Sequence, residues 1–261
     1  MKLYNGVEIP NIGLGTWLIK NKKVSQVVVD AIKIGYRHID TAQAYQNEKG
    51  VGTGIIASGI KRSDVFITSK IKAEIKNYKD AKKSIEETLK KLNTNYVDLM
   101  LIHCPVPWSE YNSRKHNYYQ ENIEVWHALE EAYNDGKIRA IGVSNFEIHD
   151  LENIINNCKI KPMVNQVSAH PFYMPFALIE YCKKNDIVFE AYSPLAHGKA
   201  KDIDKVNEIA NKNTKSFAQI CLKYLLNKNL VVLPKASSVE HLESNFDLDF
   251  VLSDEDMKYL E

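Results

Sequence analysis

Seven short apolar runs in this chain lead into polar side chains able to do chemistry. In order these are Asp40, Lys70, His103, Ser144-Asn145, Gln166, Tyr192-Ser193 and Lys235. Any one alone reads as a helix cap or a loop residue; their recurrence at one place in successive runs points to a shared site. Acyl transfer fits poorly, because no serine sits in an elbow motif. Metal chemistry fits poorly too: the eight histidines show no H-x-x-x-H spacing, and His103 stands alone. A tyrosine beside a lysine, as Tyr45 with Lys70, suggests something else. A phenol has a pKa near ~10, and a neighbouring ammonium stabilises its anion and pulls that value down. Such a tyrosine can donate a proton to a carbonyl oxygen that is gaining negative charge. A buried Lys70 needs a counter-ion, which Asp40 can supply. The set suits carbonyl reduction, given a hydride donor.

The runs that must carry these residues are Ile12–Thr16, Arg37–Asp40, Val65–Lys70, Val97–His103, Ala140–Ser144, Met163–Val167, Val188–Ser193 and Leu230–Pro234. They are short and apolar on successive residues, as strands buried on both faces are. Helix-period segments lie between them. Val24–Ile34 stops at Gly35, Tyr78–Leu92 has an apolar face, and Ile123, Trp126, Leu129 and Tyr133 precede the Asp135-Gly136 stop. Thr214 is expected to open a further helix with Phe217, Cys221, Tyr224 and Leu225 on one side. Ser253 and Asp256 resemble a capping box with a shorter acid.

Eight strands alternating with helices in 261 residues are what a (β/α)8 barrel needs, in one domain spanning 1–261. A doubly wound sheet is the rival. The strand count favours the barrel, and so does the lack of G-x-G-x-x-G after the first run, where Gly13-Leu14-Gly15-Thr16-Trp17-Leu18 has no third glycine. Gly50-Val51-Gly52-Thr53-Gly54 also fails that spacing, and no Walker A pattern exists. An Asn5-Gly6 turn between Lys2–Leu3 and Val7–Glu8 predicts an N-terminal β-hairpin closing the barrel's bottom. In a barrel all strand C-termini converge on one face, where active sites sit.

Composition narrows the partners. The 34 Lys plus Arg against 33 Asp plus Glu give no field for gathering phosphate backbones, so no nucleic-acid partner is expected. No apolar run spans a bilayer, and Met1-Lys2-Leu3-Tyr4-Asn5-Gly6 has no signal-peptide character. Four scattered cysteines without C-x-x-C read as free thiols in a reducing cytoplasm.

The segment Gly35-Tyr36-Arg37-His38-Ile39-Asp40-Thr41-Ala42-Gln43-Ala44-Tyr45-Gln46-Asn47-Glu48 resembles the long signature of the aldo-keto reductases. So do Phe66–Lys70, Tyr96–His103, Gly136–Phe146, Val164–Val167 and Ala191–Leu195, in the expected order from Val7 to about Asn245. The compact prokaryote-type reductases are the most similar. The resemblance implies NADPH bound without a Rossmann motif, with NADH as the weaker alternative. It also implies reduction of small carbonyls such as methylglyoxal, aromatic aldehydes or diketo sugars, by a monomer. By matching position, Tyr45 is the general acid, Lys70 lowers its pKa, Asp40 pairs with Lys70, and His103 orients the carbonyl. Ser144, Asn145 and Gln166 would hold the nicotinamide carboxamide, with Tyr192 stacked on the ring and Thr16 and Asp40 beside it. Ser193, Pro194 and Leu195 would follow the pyrophosphate; Lys235, His241 and Asn245 would grip the adenosine end. Trp17, Cys104 and Trp108 join Tyr45 and His103 as substrate contacts.

Departures from the pattern carry expectations of their own. Cys104 stands where the family commonly has tryptophan, which would open that wall unless Trp108 folds back over it. The chain stops at Glu261, without the covering loop of longer members, and His241 replaces a usual arginine. Structural roles are expected for His38 (packing), His170-Pro171 (a turn), Trp126 (core) and the charged stretch Lys72–Lys83 (a solvated face). The other function class in play is a cofactor-binding barrel with a regulatory or structural role and little catalysis.

Overall fold

A computed structural model describes residues 1–261. The eight strands are β1 (Leu14–Gly15), β2 (His38–Asp40), β3 (Phe66–Ile71), β4 (Leu99–Ile102), β5 (Ile141–Ser144), β6 (Val164–Ser168), β7 (Val188–Tyr192) and β8 (Val231–Leu233). They form one parallel sheet in sequential order. Ile12 bridges Val232 in parallel and Val232 donates to the Asn11 carbonyl, so the last strand meets the first and the barrel closes. β2, β3, β4 and β5 are buried at every residue, which explains their unbroken apolar character.

The helices are α1 (Asn21–Ile34), α2 (Glu48–Ala57), α3 (Tyr78–Leu92), α4 (Tyr119–Asn134), α5 (Ile148–Asn157) and α6 (Phe176–Lys184). They continue with α7 (Asp204–Asn213), α8 (Phe217–Asn227), α9 (Val239–Phe246) and α10 (Asp254–Tyr259). The three glycines of Gly50-Val51-Gly52-Thr53-Gly54 serve packing. A Cβ on Gly50 would lie 2.3 Å from the Asn21 carbonyl oxygen, and one on Gly52 2.3 Å from that of Leu92. Helix α2 thus presses backbone against backbone on α1 and the end of α3, which fixes the segment that precedes it.

Two expected elements change form. Thr214 does not open a helix: it takes the left-handed conformation that ends α7 (φ 52°). Ser216 caps α8 in a full box with Gln219, because its side chain accepts from the Gln219 N–H and the amide reaches back. At α10 only half a box forms. Ser253 accepts from Asp256 N–H, but the Asp256 carboxylate turns to Lys212 at 2.7 Å. The N-terminal hairpin is reduced to a single antiparallel bridge, Lys2 with Glu8. It still sits beneath the barrel: Tyr4 donates to the Lys161 carbonyl and Asn5 to that of Arg139, residues that precede β6 and β5, and Leu3 and Ile9 are buried. Trp126 and His38 are buried, and His170 forms a tight bridge with Tyr173, as expected of structural residues. No helix is long and apolar enough to cross a membrane.

Candidate active site

Tyr45 ends a single 3-10 turn, Gln43–Tyr45, between β2 and α2. Side chains on both flanks hold that turn. The Asn47 amide donates to the Thr16 and Ile19 carbonyls while its oxygen accepts from Thr41. Gln43 donates to Ser84 and Thr88 on α3, and the buried Glu48 accepts from Ser69 and Thr88. The phenol is therefore presented from a short loop braced on three sides.

Lys70, fully buried on β3, donates to Asp40 Oδ1 and Oδ2 at 2.6 and 2.7 Å, to the Thr41 carbonyl at 3.0 Å and to Tyr45 Oη at 3.4 Å. Burial is the largest single influence and opposes its charge, but the acidic neighbours together, Asp40 foremost, outweigh it and the ammonium is held above its ordinary range. The phenol behaves differently from the sequence expectation. Burial pushes the Tyr45 pKa up, and the Lys70 ammonium, acting to lower it, does not cancel that. Tyr45 thus keeps its proton at neutral pH, the form a proton donor needs.

The His103 ring packs edge-on to Tyr45, with centroids 5.6 Å apart. Burial holds its pKa well below the usual imidazole range, so it is neutral. Its Nδ1 is buried without a partner, which favours the proton on Nε2, the nitrogen left to meet a ligand. Trp108 stands edge-on to His103 at 5.1 Å and Tyr111 packs on Trp108 at 5.5 Å. Cys104 has no exposed surface and packs with Ala73 and Val106, so it is not a surface contact for substrate. The wall expected to be open is closed by Trp108. Trp17 is exposed at the mouth, 5.5 Å from the His197 ring in the loop after β7.

Across the barrel a second polar group comes together. Asn145, held in the left-handed region (φ 62°), donates to the His103 carbonyl and Ser144 Oγ and accepts from Tyr192 Oη at 2.8 Å. Ser144 donates to the Gln166 carbonyl, and Gln166 Nε2 reaches Asp40 at 2.9 Å. Asp40 so joins both halves of the site. Thr16 is buried, with its hydroxyl spent on the Asp40 carbonyl. Ser193 and Leu195 are half-exposed in the loop after β7, Pro194 is buried between them, and Ser193 has a positive φ of 50°. Lys235 and His241 are exposed, without ion pairs, beyond β8 and in the first turn of α9; Asn245 is buried one turn further on.

Sequence reasoning missed two residues. Glu190, in the middle of β7, is fully buried beside Gln166; a lone acid inside an apolar strand was the available signal. Lys76, in the stretch expected to be solvated, instead turns inward. Its ammonium holds the Cys104 and Pro105 carbonyls and Asn122 at 2.9–3.0 Å, and burial pushes its pKa down to about 8.

Known proteins match the chain over nearly its whole length. The aldo/keto reductase family model covers residues 11–261. Glyoxal reductase of Bacillus subtilis is 44% identical over 259 residues, 98% of this chain and 90% of that one. Methylglyoxal reductase DkgA of Escherichia coli K12 is 34% identical over 260 residues, again 98% of this chain and 90% of its own. An aldo/keto reductase crystal structure from Brucella melitensis superposes with a TM-score of 0.92 at 39% identity, covering 100% of this chain and 97% of that one. With the eight-stranded barrel and the sequence match extending over nearly its whole length, the chain belongs to the aldo/keto reductase family.

Proposed function

We propose that this chain reduces small aldehydes and ketones with NADPH, Tyr45 serving as the general acid. The observation that carries the reading is the unbroken line Asp40–Lys70–Tyr45 beneath the neutral His103. The residues suit a nicotinamide nucleotide. Gln166 commits its Nε2 to the two carboxyl groups and leaves its Oε1 for a carboxamide N–H, and Lys235 and His241 are exposed and without ion pairs, available to a phosphate. When bound, the reduced nicotinamide supplies a hydride to the carbonyl carbon. Ser144, Asn145 and Gln166 would hold its carboxamide and Tyr192 its ring face. Ser193 to Leu195 would line the pyrophosphate.

His103 Nε2–H orients the carbonyl oxygen, and Tyr45 delivers its proton to that oxygen as negative charge builds. Lys70 stabilises the phenolate that remains, and Asp40 keeps Lys70 charged and in place. Trp108 against His103, with Tyr111 behind it, would give the substrate an apolar wall. The relatives named for glyoxal and methylglyoxal support small dicarbonyls as the first substrates to try.

The test is quenching of tryptophan fluorescence by NADPH, followed by turnover on methylglyoxal, glyoxal, aromatic aldehydes, aldoses and diketones. NADPH binding with turnover of at least the dicarbonyls is expected. Binding with no turnover on any carbonyl would favour the non-catalytic barrel.

A further inference from the structure

Strands β6 and β7 pair Gln166 with Glu190 in register, so both side chains enter the barrel side by side. Gln166 Nε2 donates to Glu190 Oε2 at 2.6 Å and to Asp40 Oδ2 at 2.9 Å. An amide nitrogen has two hydrogens, and here each has a separate acceptor. One such bond would leave the amide free to pivot about it; two from different directions fix its plane.

Glu190 contributes little to the fold itself. It is fully buried, and its Oε1 has no hydrogen bond, lying 3.7 Å from His38 Nε2, which is itself engaged with Thr68 at 2.9 Å. A carboxyl in that position costs stability relative to an apolar side chain of the same size. The other charged or titratable groups around it are Asp40 and His38 on β2, Lys70 on β3 and, further out, Tyr45. None of them needs Glu190: Lys70 already has both oxygens of Asp40.

We infer that Glu190 is a positioning residue for the cofactor, locking the Gln166 amide with its oxygen toward the nicotinamide carboxamide. The inference rests on the proposed role of Gln166 in holding that group. It makes the buried acid a device for binding, retained against a cost in stability. Burial pushes Glu190 up to about 8, so at neutral pH it is an uncharged acceptor and adds no second anion to compete with Asp40 for Lys70.

The experiment measures dissociation constants for NADPH and NADH, and the melting temperature, in wild type, Glu190→Met, Glu190→Gln, Gln166→Ala and the double variant Glu190→Met/Gln166→Ala. Methionine matches the volume and removes the acceptor; glutamine keeps a carbonyl for Gln166 to bond. Loss of one positioning hydrogen bond should raise both dissociation constants by roughly 3- to 10-fold in Glu190→Met, leaving their ratio unchanged. Its melting temperature should equal or exceed that of wild type, and Glu190→Gln should stay within about twofold in affinity. In the Gln166→Ala background Glu190→Met should have no further effect, since the amide it orients is gone. A lower melting temperature with unchanged affinity, or losses that multiply in the double variant, would overturn the inference and leave the proposed reaction standing. Wild-type protein that bound neither nucleotide would overturn both.

Discussion

At Lys70 four acceptors share one ammonium, and the phenol of Tyr45 takes the longest contact, 3.4 Å. That ranking fits the proposed chemistry, in which Tyr45 holds its proton until the carbonyl oxygen takes it and Lys70 then stabilises the phenolate. Lys70→Met would leave Asp40 a buried carboxylate without its cation, which costs about 3–5 kcal/mol. A lower melting temperature is expected, with kcat down at least ~100-fold, because the phenolate loses its stabilising charge. Retention of both would separate Lys70 from the chemistry. Glu190 makes a second prediction at this scale. Its ordinary pKa is about 4.3, and in the fold it is pushed up to about 8. A raised carboxyl pKa gives stability that is complete at low pH and lost as pH rises through the folded value. Wild type should therefore lose ground to Glu190→Gln between about pH 5 and pH 8, by at most about 1.4 kcal/mol per pH unit, and the gap should level off above that. His38, pushed down to about 3, changes both proteins alike and cancels from the difference. Parallel stability curves across that range would show that Glu190 is ionised throughout.

The loop between β4 and α4 carries Trp108 and Tyr111, and its first residues hang on one side chain from the segment before α3. Lys76→Met removes the bonds to the Cys104 and Pro105 carbonyls and to Asn122, so Trp108 should lose its fixed place against His103. KM for carbonyl substrates should rise several-fold while NADPH affinity holds. An unchanged KM would mean that the loop is held by other contacts, such as Arg114 with Asp150 at 3.1 Å. Lys76 also marks the limit of what the sequence discloses. Its neighbours Lys72, Lys79 and Lys83 are exposed as composition suggests, and nothing local distinguishes the one lysine that folds inward onto carbonyls remote in sequence. Strand ends are legible because a polar residue that closes an apolar run stands out, which is how Asp40, Lys70 and His103 are found. Glu190 sits mid-strand, where the same pattern reads it as part of the ladder. Cys104 was misplaced because a substitution in sequence says nothing of which neighbour fills the space, here Trp108. Thr214 lost to Ser216 because a full box with Gln219 satisfies two groups where a lone hydroxyl satisfies one.

Within the molecule as a whole, the two residues proposed to meet a nucleotide phosphate, Lys235 and His241, lie beyond β8 and in the first turn of α9, on elements other than those that carry Tyr45 and His103. On that proposal nucleotide preference and chemistry can vary independently. Lys235 carries a fixed charge, and His241 is exposed on α9, an imidazole without the two-donor fork of arginine. The ratio of kcat/KM for NADPH over NADH should exceed one in wild type. In His241→Arg it should be several-fold larger, because arginine grips phosphate with two donors. A wild-type preference for NADH would reverse the cofactor assignment, and an unchanged ratio in His241→Arg would remove His241 from the site. The proposed reaction turns on the proton that Tyr45 holds above Lys70. Its most direct test is kcat for methylglyoxal with saturating NADPH in Tyr45→Phe, compared with wild type, after fluorescence quenching has shown the same NADPH affinity in both. The ring preserves the packing against His103 and removes only the donor, so kcat should fall by ~100- to ~10,000-fold. A variant that keeps more than about a tenth of wild-type kcat at equal affinity would contradict the assignment of Tyr45 as the acid.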